Sequence, residues 1–507
     1  MIRASDLDLV VVGAGASGAV VASRTSEGRR RDVWLLEAGP DYPSALPPDL
    51  ADGTRNSMSR HDWGYWHRPN PRTIPFFYPR GKVVGGSTAV NTCIALRGQH
   101  FDYDEWRDLG LPDWSFDACL PAFLRLENDL DFPDSPDHGH QGPIPIRRHP
   151  DAELGPWQLA FRDAALALGH PACADHNGPR PLGVGPLPMN KVGGVRMGVA
   201  QGYLGPAVRA RDNFHLRPDT TIRRVLFENK RVRGIEVERL GAVHVWPAKT
   251  IVLAGGAIGT LGILLRSGIG PRDDLARIGV ELVSHVPAVG RRLLDHPGVG
   301  LFFRVQRGDL GRSTDPLIQV MVRVTSKGSD YPGDLHLQAG SHVPLPGVGP
   351  LVSLMAHVGK TAGNGRVVFE TARAADRPKI YSHFLDHPRD RARATEAILH
   401  LRSLARELSA LAKPFWPGRA TLDDDAALET FASKRNDSGY HPCGTVPMGR
   451  DDSDDAATDA HGRVRGVTGL YVADASLMPT IPAVNINIPT IMIGERFGEW
   501  FRDGTLA

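Results

Sequence analysis

Gly13-Ala14-Gly15-Ala16-Ser17-Gly18 is the first stretch of this 507-residue chain whose residue types and spacing point to chemistry. The apolar run Leu7–Val12 leads straight into it, and a small-residue run suited to a helix, Ala19–Arg24, follows. In that setting Gly13 permits a tight turn, Gly15 lets the main chain approach a pyrophosphate, and Gly18 lets helix and strand pack closely. The phosphates then sit against the positive end of the helix. The next apolar strand, Asp32–Leu36, ends at Glu37, 19 residues after Gly18. A carboxylate there accepts hydrogen bonds from ribose 2′- and 3′-hydroxyls and repels a 2′-phosphate, which disfavours NADP. Gly13, Gly15, Ala16, Ser17, Gly18, Glu37 and the adjoining Ala38 are therefore the candidate dinucleotide contacts. This unit alone leaves NAD and FAD both open.

A second glycine cluster lies in Arg80–Gly98, RGKVVGGSTAVNTCIALRG. Its glycines let main chain approach a ligand, while Ser87, Asn91 and backbone amides can donate to phosphate and flavin oxygens. Read together, the two clusters resemble the glucose-methanol-choline (GMC) oxidoreductases, flavoenzymes that take a hydride from an alcohol. Gly81, Gly85, Gly86, Ser87, Thr88, Asn91 and Asp104 stand where the family pattern places them. The resemblance implies FAD as cofactor, with Arg80, Gly81, Val84, Gly86, Ser87, Asn91, Thr92, Cys93 and Ile94 along its flavin side. Some members attach FAD through a histidine in this segment. Ala89, Val90 and Asn91 occupy the comparable positions, so non-covalent FAD is expected.

The likeness continues from about residue 7 to 500 and thins between roughly 300 and 430. Thr250–Thr260 resembles the family's second signature, with Ala254 and Gly255 at the cofactor; Leu261 replaces the usual Pro or Ser. Thr221–Val225 resembles the strand that contacts adenine, through Ile222. Gly469–Ser476 resembles the late FAD strand, with Asp474 and Ala475 facing the ribityl-pyrophosphate. Gly439–Gly449 resembles the segment carrying the active-site histidine, and Ile481–Thr490 its partner. The resemblance thus implies His441 and Asn485, 44 residues apart, as the catalytic pair. A neutral histidine with an ordinary pKa of about 6.5 can take the hydroxyl proton. The amide NH₂ of Asn485 can stabilise the developing alkoxide without competing for that proton. Asn487 could exchange roles with Asn485. It is assigned, with Pro489 and Thr490, to the flavin's pyrimidine edge, beside a helix N-terminus expected at Pro489–Thr490. Tyr440 either walls the pocket or packs.

The elements that must position these residues suggest an α/β chain. A Rossmann-like FAD-binding domain of the GMC/PHBH type is expected, with a substrate domain built on an antiparallel sheet backed by helices. The FAD domain is expected at 1–150, 207–298 and 441–507, the last part carrying the active site, and the substrate domain at 151–206 and 299–440. Alternating strands at Leu317–Val324 and Leu335–Gln338, then helical spacing over Arg391–Leu411, support the second. Pro40–Pro79, rich in Pro, Asp and aromatics, is either an entrance-covering loop or a surface excursion.

Composition narrows the partners. Lys plus Arg is 59 against 57 for Asp plus Glu, giving a net charge of +2 and no broad call for nucleic acid. Four separated cysteines show no metal spacing and are expected as free thiols. The longest apolar run, Ile251–Leu265, carries four glycines and is too short to span a bilayer. Met1–Asp6 shows no signal region, so a cytoplasmic protein, monomer or homodimer, is expected. The expected substrate is a small alcohol, whether aryl, furan, sugar, aliphatic or amino, with no acidic constellation to favour choline. Dioxygen, a quinone or another carrier would serve as electron acceptor. A lyase or decarboxylase on the same fold is the alternative, and a non-catalytic FAD-binding protein the third reading.

Overall fold

The computed structural model describes residues 7–506 apart from 59, 72, 344 and 346; the Met1–Asp6 segment lies outside the described residues. Leu7–Val12 and Val33–Leu36 are buried strands paired in parallel, Leu9 opposite Val33. Continuous apolar runs of this kind require cover on both faces. Phe214–Arg217 extends the sheet beyond Val33–Leu36. On the other side lies Ala242–Leu253, a strand of 12 residues whose two halves pair differently. Ala248–Leu253 runs parallel to Leu7–Val12, whereas Ala242–Pro247 pairs antiparallel with Arg231–Arg239, itself paired with Thr220–Glu228. Leu470–Val472, from the far end of the chain, joins the parallel part against Ile251–Leu253.

Helix Gly18–Glu27 follows the first glycine turn, and the C-terminal helix Asn487–Asp503 packs on it. Their approach is close: a Cβ on Gly494 would lie 2.8 Å from the Ser17 carbonyl oxygen, and one on Gly498 2.5 Å from Arg24 Cβ. The helix begins at Asn487, two residues before the expected Pro489. Pro489 sits in its first turn, where the missing amide hydrogen costs nothing.

The second sheet is antiparallel throughout, in the order Ala412–Trp416, Pro297–Val305, Leu351–Val358, Leu335–Val343, Val320–Val324, Gly183–Pro186. Val320–Val324 is shorter than the apolar run from Leu317. The Leu317 amide is drawn to the Thr54 carbonyl (2.8 Å), and those of Gln319 and Val320 to the Gln158 side chain (3.1 Å each). The helix expected at Arg391–Leu411 runs Pro388–Glu407, opened by proline at its first position and by the His387 ring accepting from the Arg389 amide.

Strand alternation gives this sheet two unlike faces. Leu335, Leu337, Ala339, Leu354 and Ala356 point back into a core shared with Ala397, Ile398 and Leu401 of that helix. The other face carries cross-strand pairs His336–His357 and Gln338–Met355, flanked by Met321, Gly298 and Gly300. The Pro40–Pro79 segment contributes two strands, Tyr65–Arg68 and Phe76–Tyr78, to a small sheet completed by Lys379–Tyr381 and Arg366–Val368. It is therefore partly ordered by pairing.

Candidate active site

The two glycine clusters, far apart in sequence, meet face to face. Gly86, at φ +52°, comes so near that a Cβ there would stand 2.7 Å from Gly15 Cα, and the Gly85 amide donates to the Ala14 carbonyl at 2.8 Å. Gly13 takes φ +100°, and a Cβ on it would lie 2.6 Å from the Ala254 carbonyl oxygen. Gly18 is fixed by the turn itself, with only 1.9 Å from a Cβ to the Gly13 oxygen. Ala16 packs at the core's edge, and Ala254 donates its amide to Val12. The turn Gly255–Thr260 is held by Asp474: one carboxylate oxygen accepts from the Gly256 amide (2.8 Å) and the Thr260 hydroxyl (2.6 Å), the other from Ser476. Asp474 thus uses its carboxylate within the protein, and the neighbouring Ala475 carbonyl accepts from Gly444.

Glu37 ends its strand buried, accepting from the Ala14 amide (2.9 Å) and the Gly39 amide (2.8 Å). Burial pushes its carboxyl up to about 7 despite those bonds. Two polar atoms here are buried without a partner, Ser17 Oγ and Asn487 Nδ2. A long ligand with phosphate and carbonyl oxygens fits such a cradle: glycine backbones for close approach, an orphan hydroxyl at a helix start, a carboxylate for ribose. Elsewhere in the proposed wall, Ser87 Oγ accepts from Gly81 and Asn91 Oδ1 from the Cys93 amide (2.9 Å). Cys93 adopts φ +63° and lies fully buried beside Ile94, burial raising its thiol. Val84 donates to the Pro40 carbonyl. Ile222 is buried in its strand, Ala38 and Thr92 are half-buried, and the Thr490 hydroxyl is turned onto the Ile486 carbonyl (2.6 Å).

His441 and Asn485 come together, Asn485 Nδ2 lying 2.9 Å from His441 Nε2. On its other side His441 Nδ1 is 2.9 Å from Nδ1 of His296, whose Nε2 is 3.0 Å from the Pro482 carbonyl oxygen. A carbonyl only accepts, so His296 Nε2 carries hydrogen. Burial first, then His357, depress His296 to about 3, leaving the ring neutral with a bare Nδ1. His441 Nδ1 must then be the donor. Its Nε2 is left with a lone pair aimed at Asn485, which donates. Burial, then His296 and His357, also hold His441 well below the ordinary histidine value of 6.5.

Asp295 fixes the backbone on both sides of this chain. One oxygen accepts from the amides of His296 (2.7 Å) and His441 (2.8 Å), the other from Tyr78 and Ser438 hydroxyls. Tyr440 stands at φ +65°, held by its amide on Ser438 Oγ (2.6 Å) and by Arg80 donating to its carbonyl (2.6 Å). Arg80 therefore reaches the segment that carries His441, and the Tyr440 ring is packed at the edge of the core. Asp295 and His296 escaped sequence reading. They stand just ahead of Pro297–Val305, outside every motif read from the sequence. The signal available was an Asp-His-Pro step opening an apolar strand.

Among the described residues no helix is long and apolar enough to cross a membrane, and all four cysteines are free. A family model described as GMC oxidoreductase matches residues 7–298, and its C-terminal counterpart matches 361–494. The chain is 34% identical to 5-(hydroxymethyl)furfural oxidase of Methylovorus sp. (strain MP688), over 97% of this chain and 98% of that one. It is 33% identical to the oxygen-dependent choline dehydrogenase of Vibrio vulnificus, over 97% and 93%. Its fold matches the crystal structure of pyridoxine 4-oxidase from Mesorbium loti with a TM-score of 0.90 at 29% identity, covering 97% and 99%.

Proposed function

The chain belongs to the GMC oxidoreductase family, and on that premise we propose how its residues divide the work. It is an FAD-dependent enzyme oxidising an alcohol to the carbonyl. The observation that carries the assignment is the chain from the Pro482 carbonyl through His296 and His441 to Asn485. It leaves a bare, neutral Nε2 next to an amide donor. A substrate hydroxyl placed between them gives its proton to Nε2 of His441 while Asn485 Nδ2 donates to the alkoxide oxygen. The imidazolium so formed keeps its Nδ1 hydrogen on His296. FAD, when bound, supplies the acceptor for the hydride leaving the carbinol carbon.

FAD is held without a covalent bond, since Ala89, Val90 and Asn91 offer no histidine at the attachment position. Glu37 would take the ribose hydroxyls and the Gly13–Gly18 turn with Gly86 the pyrophosphate, and Ser17 Oγ and Asn487 Nδ2, which lack protein partners, would be satisfied by it. The strands at 7–12, 33–36, 214–217, 248–253 and 470–472 support a nucleotide domain assembled from three separated stretches of chain.

The substrate is an aryl or furan methanol. The histidine-bearing side of the antiparallel sheet offers Met321, Met355, Gln338 and two imidazoles, with Gly298 and Gly300 leaving flat room, and its carboxylate opposite Gly298, Asp437, is already engaged by His67 Nε2 at 3.0 Å. The relatives named for hydroxymethylfurfural and pyridoxine point the same way. Anaerobic mixing of the yellow holoenzyme with an alcohol panel tests this: furan and aryl methanols should bleach the flavin band faster than choline, sugars or alkanols. No bleaching by any alcohol overturns the reading. His441→Ala should retain FAD yet slow reduction by about 10² to 10⁴. Repeating the reoxidation with air and with a quinone identifies the acceptor. Yellow colour in an acid precipitate would overturn the non-covalent assignment.

A further inference from the structure

We propose that the cavity between Arg147–Glu153 and the hairpin Lys191–Arg196 binds a phosphate group that keeps one proton, as inorganic phosphate or a phosphomonoester. The cavity encloses about 230 Å³ and is lined by Arg147, Arg148, His149, Glu153, Lys191 and the Gly193-Gly194 turn. It lies outside the histidine–asparagine site. Its size is below that of pockets for drug-sized ligands and suits a small ion with a short tail.

Two groups in it lack partners. Lys191 is only 4% exposed, yet among the described residues its ammonium makes no hydrogen bond or ion pair. The stem is buried while the ammonium itself reaches the cavity, and burial lowers its pKa. The neighbouring cations are already matched. Arg148 meets Asp129 (2.9 Å), Asp131 (3.3 Å) and Asp175 (2.5 Å), and Arg147 meets Glu153. Lys191 is thus the cation at the cavity with no carboxylate in ion-pair range, Asp52 acting on it only from further off, which calls for an anion.

The second group is His149. Its Nδ1 lies 3.2 Å from Glu153 Oε2, which only accepts, so Nδ1 carries the hydrogen. Its Nε2 is buried with no partner. Burial and the Lys191 charge depress the ring to about 4, so this nitrogen is a bare acceptor at neutral pH. A ligand that answers both groups must present an anionic oxygen to Lys191 and an O–H to His149 on one compact group. A phosphate that retains a proton does so. Sulfate has the same shape and no proton to give. Arg147, partly exposed at the mouth, can take a further oxygen.

The test is a calorimetric and thermal-shift titration of the holoenzyme at pH 6 with phosphate, methyl phosphate, sulfate and chloride at matched ionic strength. Phosphate should bind saturably, about tenfold or more tighter than sulfate, since sulfate leaves the His149 acceptor unmatched. Methyl phosphate matching phosphate marks an ester as the ligand, whereas phosphate binding alone marks the free ion. Lys191→Met keeps the buried apolar stem and removes a cation that makes no ion pair, so it should fold with an unchanged flavin spectrum while losing phosphate binding. His149→Leu should bring phosphate down to sulfate's affinity. No stabilisation by phosphate beyond chloride, or undiminished binding in Lys191→Met, overturns the site. Sulfate binding as tightly as phosphate overturns the role given to the proton.

Discussion

Proton placement on His441 is decided two groups away, at the Pro482 carbonyl. Only an acceptor stands there, so hydrogen sits on His296 Nε2 and, in turn, on His441 Nδ1. Replacing His296 with Phe removes that acceptor and frees the His441 ring to adopt the other tautomer. Stopped-flow reduction should then slow by an order of magnitude or more, with FAD content unchanged. A wild-type rate would show that the tautomer is set elsewhere. Because His441 is held below 6.5, the acid limb of kcat/KM for flavin reduction should fall below pH 6.5 rather than at it. Glu37 is shifted the other way, and its loss toward acid therefore begins at higher pH. Its carboxyl, raised to about 7, is largely protonated at pH 5.5, and ribose hydroxyls are accepted best by the ionised form. FAD affinity, followed by release of flavin fluorescence, should therefore rise from pH 5.5 to 8, and Glu37→Gln should flatten the profile.

Between elements, a tight constraint on the cofactor cradle is the glycine-to-glycine contact of the two turns. Gly86→Ala places a Cβ 2.7 Å from Gly15 Cα and keeps φ at +52°, so backbone must move on both sides. The expected result is apoprotein, with Tm lowered by a loss of about 2 kcal/mol or more. A second junction ties the first helix to the last. Glu495, fully buried, binds Arg24 (2.9 Å) and Arg125 (3.2 Å) and accepts from the Tyr203 hydroxyl. Glu495→Gln leaves two guanidiniums facing an amide. Their partial exposure reduces the penalty below that of a fully buried pair, to about 2 kcal/mol in chemical denaturation. Arg391–Leu411 was legible as a helix from its spacing, but its start at Pro388 needed a proline and a histidine cap that spacing does not register.

Across the whole molecule, buried histidines set the response to acid. His296, His336, His357 and His441 lie together in the interior and are all depressed by burial first. Each is neutral when folded and takes a proton near 6.5 once unfolded. Their stability contribution is present above that value and is lost as pH falls through the folded values. His138 runs the other way: carboxylates of Asp129, Asp175 and Glu127 outweigh its burial and lift it to about 11. Its contribution is complete below pH 6.5 and fades as pH climbs toward 11. Thermal unfolding across pH 4 to 9 should therefore show Tm dropping steeply below 6.5. A flat acid limb would mean that these rings are already charged in the fold.

The sequence by itself determined the cofactor unit, because strand, glycine turn, helix and acid form one local piece whose spacing is its function. It also singled out His441 and Asn485, through short motifs that resemble a family, and the fold sets these two side chains 2.9 Å apart. Tertiary structure alone decided that Gly86 meets Gly15, that Arg80 reaches Tyr440, and that Asp474 holds a turn with both carboxylate oxygens. It alone brought His296 and Asp295 to His441, across 145 and 146 residues of chain. The reason is physical. A local pattern records which conformation a segment prefers, while a proton's position depends on the donors and acceptors packed around a ring. Those come from strands and loops that only the folded chain places side by side.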